Sequence, residues 1–359
     1  MKNLSHTDAT LERLTADGRI RSYALVVGYG ADEWTRTSED VNLDTCFDAA
    51  SLGKVFPTST LILKAVDEGK LSLTDTIDRF FPNTPDDKRQ ITIRHLLTHT
   101  SGMLRREFPD DVAVRGRESI AEFILNTPLS YPTGTKYAYC CTGYILLGFI
   151  LERVFGMPLD EAFARLLCQP LGLARSGYNL PPDAPNAVNC NHDLNITDIR
   201  RDDNLVKRMR GIPAGSGGNY CTAADLQKFV RAIIRRDKRL YSRAMFDLSE
   251  QNCTEGLEVL DPQRGIENHA LGFVYVNRYC EQARDLFPDG SLGHTGWTGQ
   301  SFYLNRDRNL YVILLTDAMR CTVRKYGKTI DDCVHGIRIE VHRAIARDLE
   351  IRSPYCENT

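Results

Sequence analysis

The chain has 359 residues, of which 42% are hydrophobic, and its formal net charge is −2 at pH 7. This length can bury a large core, and it fits one large domain or two closely packed ones. The nearly neutral charge gives no overall attraction to nucleic acid or to an anionic membrane. The local basic runs at 207–210 and 231–239 are best interpreted as solvated helix faces.

The first 18 residues are polar and include Asp8, Glu12 and Asp17. They lack the apolar segment of a secretory signal. The longest apolar stretches, such as 144–151, are too short to span a bilayer. We therefore expect a cytoplasmic protein without a membrane partner, and its eleven cysteines are expected to be reduced thiols.

The N-terminal region predicts a helix, a strand and a second helix. Residues 7–16 have the pattern of a short amphipathic helix, and 23–29 are rich in β-formers. A helix is predicted over 51–68, and Gly69 follows it as a C-terminal cap. Pro57 falls near the end of the second turn of that helix and predicts a local kink.

The middle of the chain, about 71–236, is predicted to be mainly helix and loop. Ser119 and Thr222 each begin a capping-box-like pattern that predicts the start of a helix. Residues 144–154 and 159–167 have helical periodicity, and Pro158 precedes the second of these segments as a first-turn proline. The segment 181–218 is rich in Pro, Asn, Asp and Gly and predicts a long surface loop.

The C-terminal third predicts three strands, a turn and a final helix, over 271–276, 301–305, 310–316, 306–309 and 329–348 respectively. Strands near both ends of the chain, with helices between them, indicate one sheet assembled from both termini. We assign 1–70 and 237–359 to a discontinuous sheet domain, and 71–236 to an inserted, mostly helical domain.

Ser51 and Lys54 are the first candidates for chemistry. Residues three apart on a helix share a face, so the two side chains can meet. A serine hydroxyl is a poor nucleophile until a base takes its proton, and a lysine can do so when burial or another cation lowers its pKa. Alone, this short pattern is more often a capping serine beside a solvated lysine.

Four further segments lie downstream at 69–75, 93–102, 132–144 and 293–299. Together with Ser51-x-x-Lys54, their order and spacing from 23 to 316 resemble the serine β-lactamase-like superfamily. The similar branch contains class C β-lactamases, penicillin-binding proteins, D-amino-acid peptidases and carboxylesterases. The resemblance implies an α/β (α+β) fold with an antiparallel sheet flanked by helices, and an active site at the domain interface.

The resemblance also implies a role for each matching residue. Ser51 would be the acylated nucleophile and Lys54 its proton partner, with Tyr139 as a general acid or base between Ser51 and the leaving group. The backbone N–H groups of Ser51 and Trp297 would form the oxyanion hole. His294-Thr295-Gly296 would bind substrate on an edge strand beside the site. Which of Lys54 and Tyr139 is the base in acylation stays open.

Two positions depart from the pattern of the family. The second motif is usually Tyr-x-Asn, and Cys141 takes the place of the asparagine that reads a substrate amide. A thiol is a weak donor and a weak acceptor. His294 replaces the lysine of well-known β-lactamases, and a mostly neutral imidazole attracts a carboxylate less than an ammonium does. Both changes weaken the case for efficient β-lactam hydrolysis.

Several other features have simpler interpretations. The segment 99–102 is expected to shape a helix-to-loop turn, and Gly217-Gly218 to meet a backbone requirement. Trp297 fits equally a pocket wall and a packing residue, and Cys141 is more often a buried, inert cysteine. The sequence has no complete phosphate loop, dinucleotide fingerprint or zinc spacing, and so predicts no cofactor or metal.

Three functions remain open. The first is a serine hydrolase that acts on a small ester, lactam or amide through an acyl-enzyme. The second is a peptidase or amidase for D-amino-acid substrates, and the third is a pseudoenzyme that acts as a binding protein. The expected partner is a small-molecule ester, lactam or peptide rather than nucleic acid, and nothing in the sequence sets the oligomeric state.

Overall fold

The computed structural model describes residues 3–104, 112, 115–179, 211–260, 268–319, 321, 331–353 and 355. Its strands are β1 (Tyr23–Tyr29), β2 (Asp32–Thr37), β3 (Phe47–Asp48), β4 (Lys136–Tyr137), β5 (Tyr220–Cys221), β6 (Glu258–Val259), β7 (Asn268–His269), β8 (Val274–Tyr275), β9 (Leu292–Thr295), β10 (Ser301–Asn305) and β11 (Leu310–Thr316). Within these residues the main sheet has seven antiparallel strands in the order β2-β1-β11-β10-β9-β8-β7. The sheet is therefore built from both chain termini, which confirms the predicted fold class.

The helices are α1 (Ser5–Ala16), α2 (Thr60–Asp67), α3 (Ile93–Leu97), α4 (Arg117–Asn126), α5 (Cys141–Phe155), α6 (Leu159–Phe163), α7 (Gln169–Leu171), α8 (Ala223–Ile234), α9 (Arg243–Ser249) and α10 (Asp331–Asp348). Helices α1 and α10 pack together on one face of the sheet, and α8 packs on the other. The predicted helices 7–16, 144–154 and 329–348 correspond to α1, α5 and α10. The domain boundaries stay a prediction, and α8 packs on the sheet although it comes from the predicted helical part.

Strands β1 and β11 are internal strands of the sheet, and both of their faces are covered. They pair over seven consecutive residue pairs. Successive side chains on a strand point to opposite faces, so Val26 joins the core beneath α8 and Val27 joins the core beneath α1 and α10. This double burial explains the continuous apolar sequences of both strands. The observed bounds of β1, β10 and β11 confirm the predicted strands 23–29, 301–305 and 310–316.

The segment that was predicted as one helix over 51–68 is divided into three parts. A 3₁₀ turn covers Ala50–Lys54, a wider π-helical turn covers Val55–Ser59, and α2 follows. Phe56 leaves the helical region with φ −117° and ψ 89°, because a proline restricts the residue before it. The predicted kink at Pro57 is confirmed, and the prediction of one continuous helix is wrong.

The two predicted capping boxes have different outcomes. Thr222 is the N-cap of α8, and its side chain accepts a hydrogen bond from the Asp225 backbone N–H at 3.1 Å. Ser119 is not a cap, because α4 already begins at Arg117 after Gly116, whose φ is 89°. Glycine adopts such a positive φ without steric cost, and here it sets the start of the helix.

The strands of the main sheet depart from the prediction in three ways. The strand predicted over 271–276 is reduced to β8, since Gly272 has φ 94° and interrupts the extended backbone. The prediction that the third motif lies on an edge strand is wrong, because β9 pairs with both β10 and β8. Strand β2 was not predicted, since its charged sequence gives no apolar signal. Most of the predicted loop 181–218 lies outside the described residues.

The eight cysteines among the described residues are free thiols. Burial raises the pKa of the Cys221 thiol and raises that of Cys168 to about 12, so both stay protonated at neutral pH. No single described helix has the length and apolar character to cross a membrane. The segments Cys141–Phe155 and Leu159–Leu171 have that length and apolar character only when taken together, and the two are bent by 75° relative to each other.

Helices α1 and α10 are joined by Asp348, which lies at the end of α10. Its carboxylate accepts the backbone N–H groups of His6 at 2.9 Å and Thr7 at 2.8 Å, and the Thr7 hydroxyl at 2.7 Å. The first N–H groups of a helix have no partner within the helix, and a carboxylate there also meets the positive end of the helix dipole. Asp348 therefore caps α1 from a helix more than 300 residues away.

We expect Asp348→Ala to lower the free energy of unfolding by about 1–3 kcal/mol, because it removes a charged cap and leaves buried donors without an acceptor. Chemical denaturation measures this change. Asp86→Ala is the matched control, since the Asp86 side chain is 90% exposed in its ion pair with Arg89; its effect should stay within about 0.5 kcal/mol. Equal effects of the two substitutions would contradict the capping role.

Candidate active site

Ser51 and Lys54 are in contact within the 3₁₀ turn Ala50–Lys54. Lys54 Nζ donates to Ser51 Oγ at 3.2 Å and to the Ser216 backbone carbonyl at 3.1 Å. In a 3₁₀ turn the side chains at i and i+3 lie directly above one another, so this local geometry favours the contact more than an α-helix would. Lys54 is fully buried and Ser51 is 8% exposed. The pair therefore lies in a site with little access to water.

The turn that carries Ser51 begins at a strained residue. Ala50 has φ 47°, a left-handed conformation that costs a non-glycine residue about 1–3 kcal/mol and that often occurs at functional sites. Its backbone N–H donates to the Asp48 carboxylate at 2.9 Å. Ala50 thus starts a sharp turn two residues after β3 ends, and its hydrogen bond to Asp48 holds the start of that turn.

A glycine-rich segment from Gly215 to Asn219 packs directly on this turn. A Cβ atom on Gly53 would lie 2.4 Å from Asn219 Oδ1 and 2.8 Å from Gly217 Cα, distances that no real side chain tolerates. Asn219 also accepts the Ala49 N–H at 2.9 Å through its carbonyl and donates its side-chain amide to the Phe56 carbonyl at 3.0 Å. The close approach brings the Ser216 carbonyl within reach of Lys54.

Two tyrosine rings lie beside Lys54. Its Nζ atom is 4.7 Å from the centre of the Tyr139 ring and 5.8 Å from that of Tyr144, within the range of cation–π contacts. Tyr144 has a structural role, because its hydroxyl donates a hydrogen bond to the Leu97 carbonyl at 2.9 Å and lies 3.2 Å from Ser59 Oγ. Burial raises the pKa of Tyr144. Tyr139, which is 7% exposed, is the phenol that the family pattern selects.

His99 holds the segment that carries Tyr139. Its Nδ1 accepts the Cys140 N–H at 3.1 Å, its carbonyl accepts the Ala138 N–H at 3.0 Å, and its ring centre lies 4.6 Å from that of Tyr139. A backbone N–H can only donate, so Nδ1 carries no proton and the imidazole proton is on Nε2. With φ 57° at His99 and 84° at Gly102, the segment 99–102 forms the predicted turn.

The third motif approaches from β9. His294 is buried, and its Nδ1 lies 2.8 Å from the Thr295 carbonyl. A carbonyl can only accept, so this nitrogen carries a proton and Nε2 is the acceptor of the neutral ring. The His294 ring centre is 6.3 Å from that of Tyr139. The arrangement links the C-terminal strand to the tyrosine of the middle segment.

Gly296 brings the loop after β9 against the turn that carries Ser51. A Cβ atom on Gly296 would lie 3.0 Å from the Ala49 carbonyl oxygen and 3.2 Å from Ala50 Cβ. The next residue, Trp297, is half-buried and packs on the core beneath α1 and α10. Its backbone N–H therefore lies one residue from this close approach, and its role as an oxyanion donor stays a prediction.

Cys141 is the first residue of α5 and is fully buried. Its neighbour Cys140 lies 2.9 Å from the Thr142 hydroxyl through Sγ. A buried thiol behaves as a small hydrophobic group with weak hydrogen bonding. The position that usually carries an amide in this motif therefore presents no comparable polar group, and a substrate contact at Cys141 stays a prediction.

Most of the predicted site residues meet in space. Ser51, Lys54, Tyr139 and His294 form a chain of neighbours, and Thr295, Gly296 and Trp297 follow along the backbone. Sequence reasoning missed Ser216, Asn219 and the contacts of His99. The only signal for the first two was the adjacent Gly217-Gly218, because a carbonyl ligand leaves no mark in a side-chain pattern.

Comparison with known proteins agrees with this geometry. A family model described as Beta-lactamase matches residues 7–328. The chain belongs to the Beta-lactamase family. This membership, together with the Ser51–Lys54 contact, identifies a serine hydrolase.

Relatives of this Beta-lactamase family member include an N-acetylmuramyl-L-alanine amidase of Bacillus subtilis, 26% identical over 339 residues that cover 84% of this chain and 75% of the relative. A Salmonella typhimurium protein, provisionally named a D-alanyl-D-alanine carboxypeptidase, is 31% identical over 307 residues, 76% of this chain and 69% of the relative. A penicillin-binding protein homologue from Caulobacter crescentus has the same fold, with a TM-score of 0.76 at 16% identity over 96% of this chain and 97% of that one.

We expect Lys54→Met to lower the acylation rate by about 10²–10⁴-fold, because it removes the group that exchanges a proton with Ser51. Methionine fills a similar volume without a buried amine, so the free energy of unfolding should not fall by more than about 1 kcal/mol. Ester turnover and chemical denaturation measure the two quantities.

The matched control is Lys64→Met on α2, where Lys64 Nζ donates to the Arg239 carbonyl and pairs with Glu68 near the surface. That variant should keep wild-type turnover. A folded Lys54→Met enzyme with undiminished activity would rule out Lys54 as the proton partner.

Proposed function

We propose that the protein hydrolyses small, uncharged carboxylic esters through a covalent acyl-Ser51 intermediate. The observation that carries the proposal is the 3.2 Å contact between Lys54 Nζ and Ser51 Oγ in a buried site. A general base must lie within hydrogen-bond reach of the proton that it removes. Lys54 meets this requirement directly, and the centre of the Tyr139 ring lies 4.7 Å from Lys54 Nζ, so we include its phenol as a second proton carrier.

In the acylation step, Ser51 Oγ attacks the carbonyl carbon of the ester and its proton passes either to a neutral Lys54 amine or to a Tyr139 phenolate held beside a protonated Lys54. A neutral Lys54 amine accepts this proton with its lone pair while it still donates to the Ser216 carbonyl. The former carbonyl oxygen then carries negative charge, which the N–H groups of Ser51 and Trp297 are proposed to bind. Collapse of this intermediate breaks the ester C–O bond, and the departing alkoxide takes the proton.

Deacylation repeats these steps with water as the nucleophile. The water gives its proton to the same groups and attacks the acyl carbon, and the Ser51–acyl bond breaks. Ser51 Oγ regains a proton and the carboxylic acid leaves. The two steps change no oxidation state, and water is the only co-reactant that they consume.

The preference for uncharged esters rests on Cys141 and His294. The fully buried Cys141 thiol offers little to a substrate amide. His294 holds its single neutral-state proton towards the Thr295 carbonyl, and a neutral imidazole offers a substrate carboxylate less attraction than an ammonium. An ester without either group requires neither form of recognition.

A second candidate is hydrolysis of peptides or amides that contain D-amino acids. The Salmonella relative at 31% identity, with its provisional carboxypeptidase name, favours this alternative, as does the amidase name of the Bacillus relative. The two candidates share the Ser51 chemistry and water as the final acyl acceptor, and they differ in the acyl donor, which is an ester in one and an amide in the other.

The test is a substrate panel of p-nitrophenyl butyrate, nitrocefin and an N-acylated D-alanyl-D-alanine peptide, with Ser51→Ala as the blank. We expect kcat/KM for the ester to exceed the other values by at least about 100-fold, a difference of about 2.7 kcal/mol. Faster turnover of the peptide would replace the esterase with the peptidase, and activity retained in Ser51→Ala would exclude both.

We expect Tyr139→Phe to lower kcat on the ester by about 10²–10⁴-fold, because it removes a proton carrier beside Lys54. Tyr144→Phe is the matched control, since this second phenol also lies near Lys54 but donates to a backbone carbonyl. The control should lose stability and keep kcat within about threefold. Near-wild-type turnover by Tyr139→Phe would exclude the phenol as a proton carrier.

A further inference from the structure

Arg338 on α10 is among the largest fully buried side chains of the described residues, with 1% exposure. Its guanidinium donates to the Gly296 carbonyl, to the Gln300 carbonyl at 3.0 Å, and to the Gln282 side-chain oxygen at 2.8 Å. Burial of a charge is costly unless hydrogen bonds replace its water. Three oxygen acceptors from two separate segments supply that replacement.

Two of these acceptors close the loop after β9. Gly296 N–H donates to the Gln300 carbonyl at 2.7 Å, and Gly299 N–H donates to the Gly296 carbonyl at 3.1 Å. One nitrogen of Arg338, Nη2, bridges both carbonyls across the neck of this loop. The residues between them include Trp297, whose N–H is the proposed oxyanion donor.

The Gly296 carbonyl and the Trp297 N–H belong to the same peptide group. In a trans peptide these two bonds point in opposite directions, so a carbonyl held by Arg338 directs the N–H away from α10. Gly296 has no Cβ to restrict rotation of this peptide, and a Cβ atom there would make a tight contact of 3.0 Å with the Ala49 carbonyl oxygen. The Gly299 N–H holds the Gly296 carbonyl from within the loop, and Arg338 adds a charged anchor from outside it.

We propose that Arg338 is a positioning residue that orients and polarises the Gly296–Trp297 peptide, so that the Trp297 N–H binds the oxyanion formed at Ser51. This inference rests on the proposed acyl-enzyme function. A charged donor on the carbonyl of a peptide strengthens its N–H as a donor, since linked hydrogen bonds polarise one another. The C-terminal helix thereby acts on the chemistry without touching substrate.

Gln282, which accepts a hydrogen bond from Arg338, is held in turn by a second residue of α10. Gln282 accepts from Arg338 with its side chain, and its carbonyl lies 2.5 Å from His342 Nδ1, one turn further along α10. Burial lowers the pKa of His342 to about 4, so this histidine is neutral at pH 7. The positive charge at this end of the loop therefore comes from Arg338.

The test compares Arg338→Lys and Arg338→Met with wild type on p-nitrophenyl butyrate, and measures inhibition by phenylboronic acid, which forms a tetrahedral anionic adduct with the serine. We expect Arg338→Met to lower kcat about 10–100-fold with KM within about twofold, because only the transition state uses the N–H. Boronate affinity should fall by a similar factor. Arg338→Lys should recover part of both losses, since an ammonium can still reach one carbonyl.

Arg306→Lys is the matched control, because Arg306 also donates to two backbone carbonyls, Ile233 and Ile234, but far from the site. It should lose stability and keep kcat and boronate affinity. If Arg338→Met does not fold, the several-fold loss expected for Arg338→Lys decides the question. Folded Arg338 variants with wild-type kcat and boronate affinity would overturn the proposal, whereas a wild-type enzyme without ester turnover would overturn the proposed function instead.

Discussion

Burial of Lys54 beside Ser51 is the constraint on which the rest of the site depends. A lysine amine without water is costly unless its hydrogen bonds are met within the protein. Here the Ser216 carbonyl, the Ser51 hydroxyl and the face of the Tyr139 ring surround it. That environment exists only because glycines let the segment before Asn219 press against the 3₁₀ turn. The proton transfer at Lys54 therefore depends on the close packing of these two segments.

The sheet brings the parts of the site together from distant points of the chain. Pairing of β1 with β11 joins the two termini, and β10 and β9 then carry the His294 strand to the turn of Ser51. The middle segment contributes Tyr139 at the start of α5, where His99 holds the backbone. The C-terminal helix adds Arg338 behind the loop of Trp297. Each region alone carries only a fragment of the site.

Much of this arrangement could be predicted from the sequence, because reactive side chains occur in ordered motifs and central strands have continuous apolar runs. The 3₁₀ turn at Ser51 could not, since Ala50 adopts a strained conformation that tertiary contacts impose. Ser216 acts through a carbonyl, which any residue provides. A buried arginine in α10 has the same sequence signal as a solvated one. Strand β2 and the internal position of β9 depend on pairing partners far along the chain.

The central claim is that Lys54 makes Ser51 a nucleophile that forms a covalent acyl-enzyme. The most direct measurement is mass spectrometry of the intact protein, and of its peptides, after a short incubation with a fluorophosphonate. We expect one adduct per chain, on the peptide that contains Ser51, and none in Ser51→Ala. Folded wild-type protein without an adduct, or an adduct that persists in Ser51→Ala, would contradict the claim.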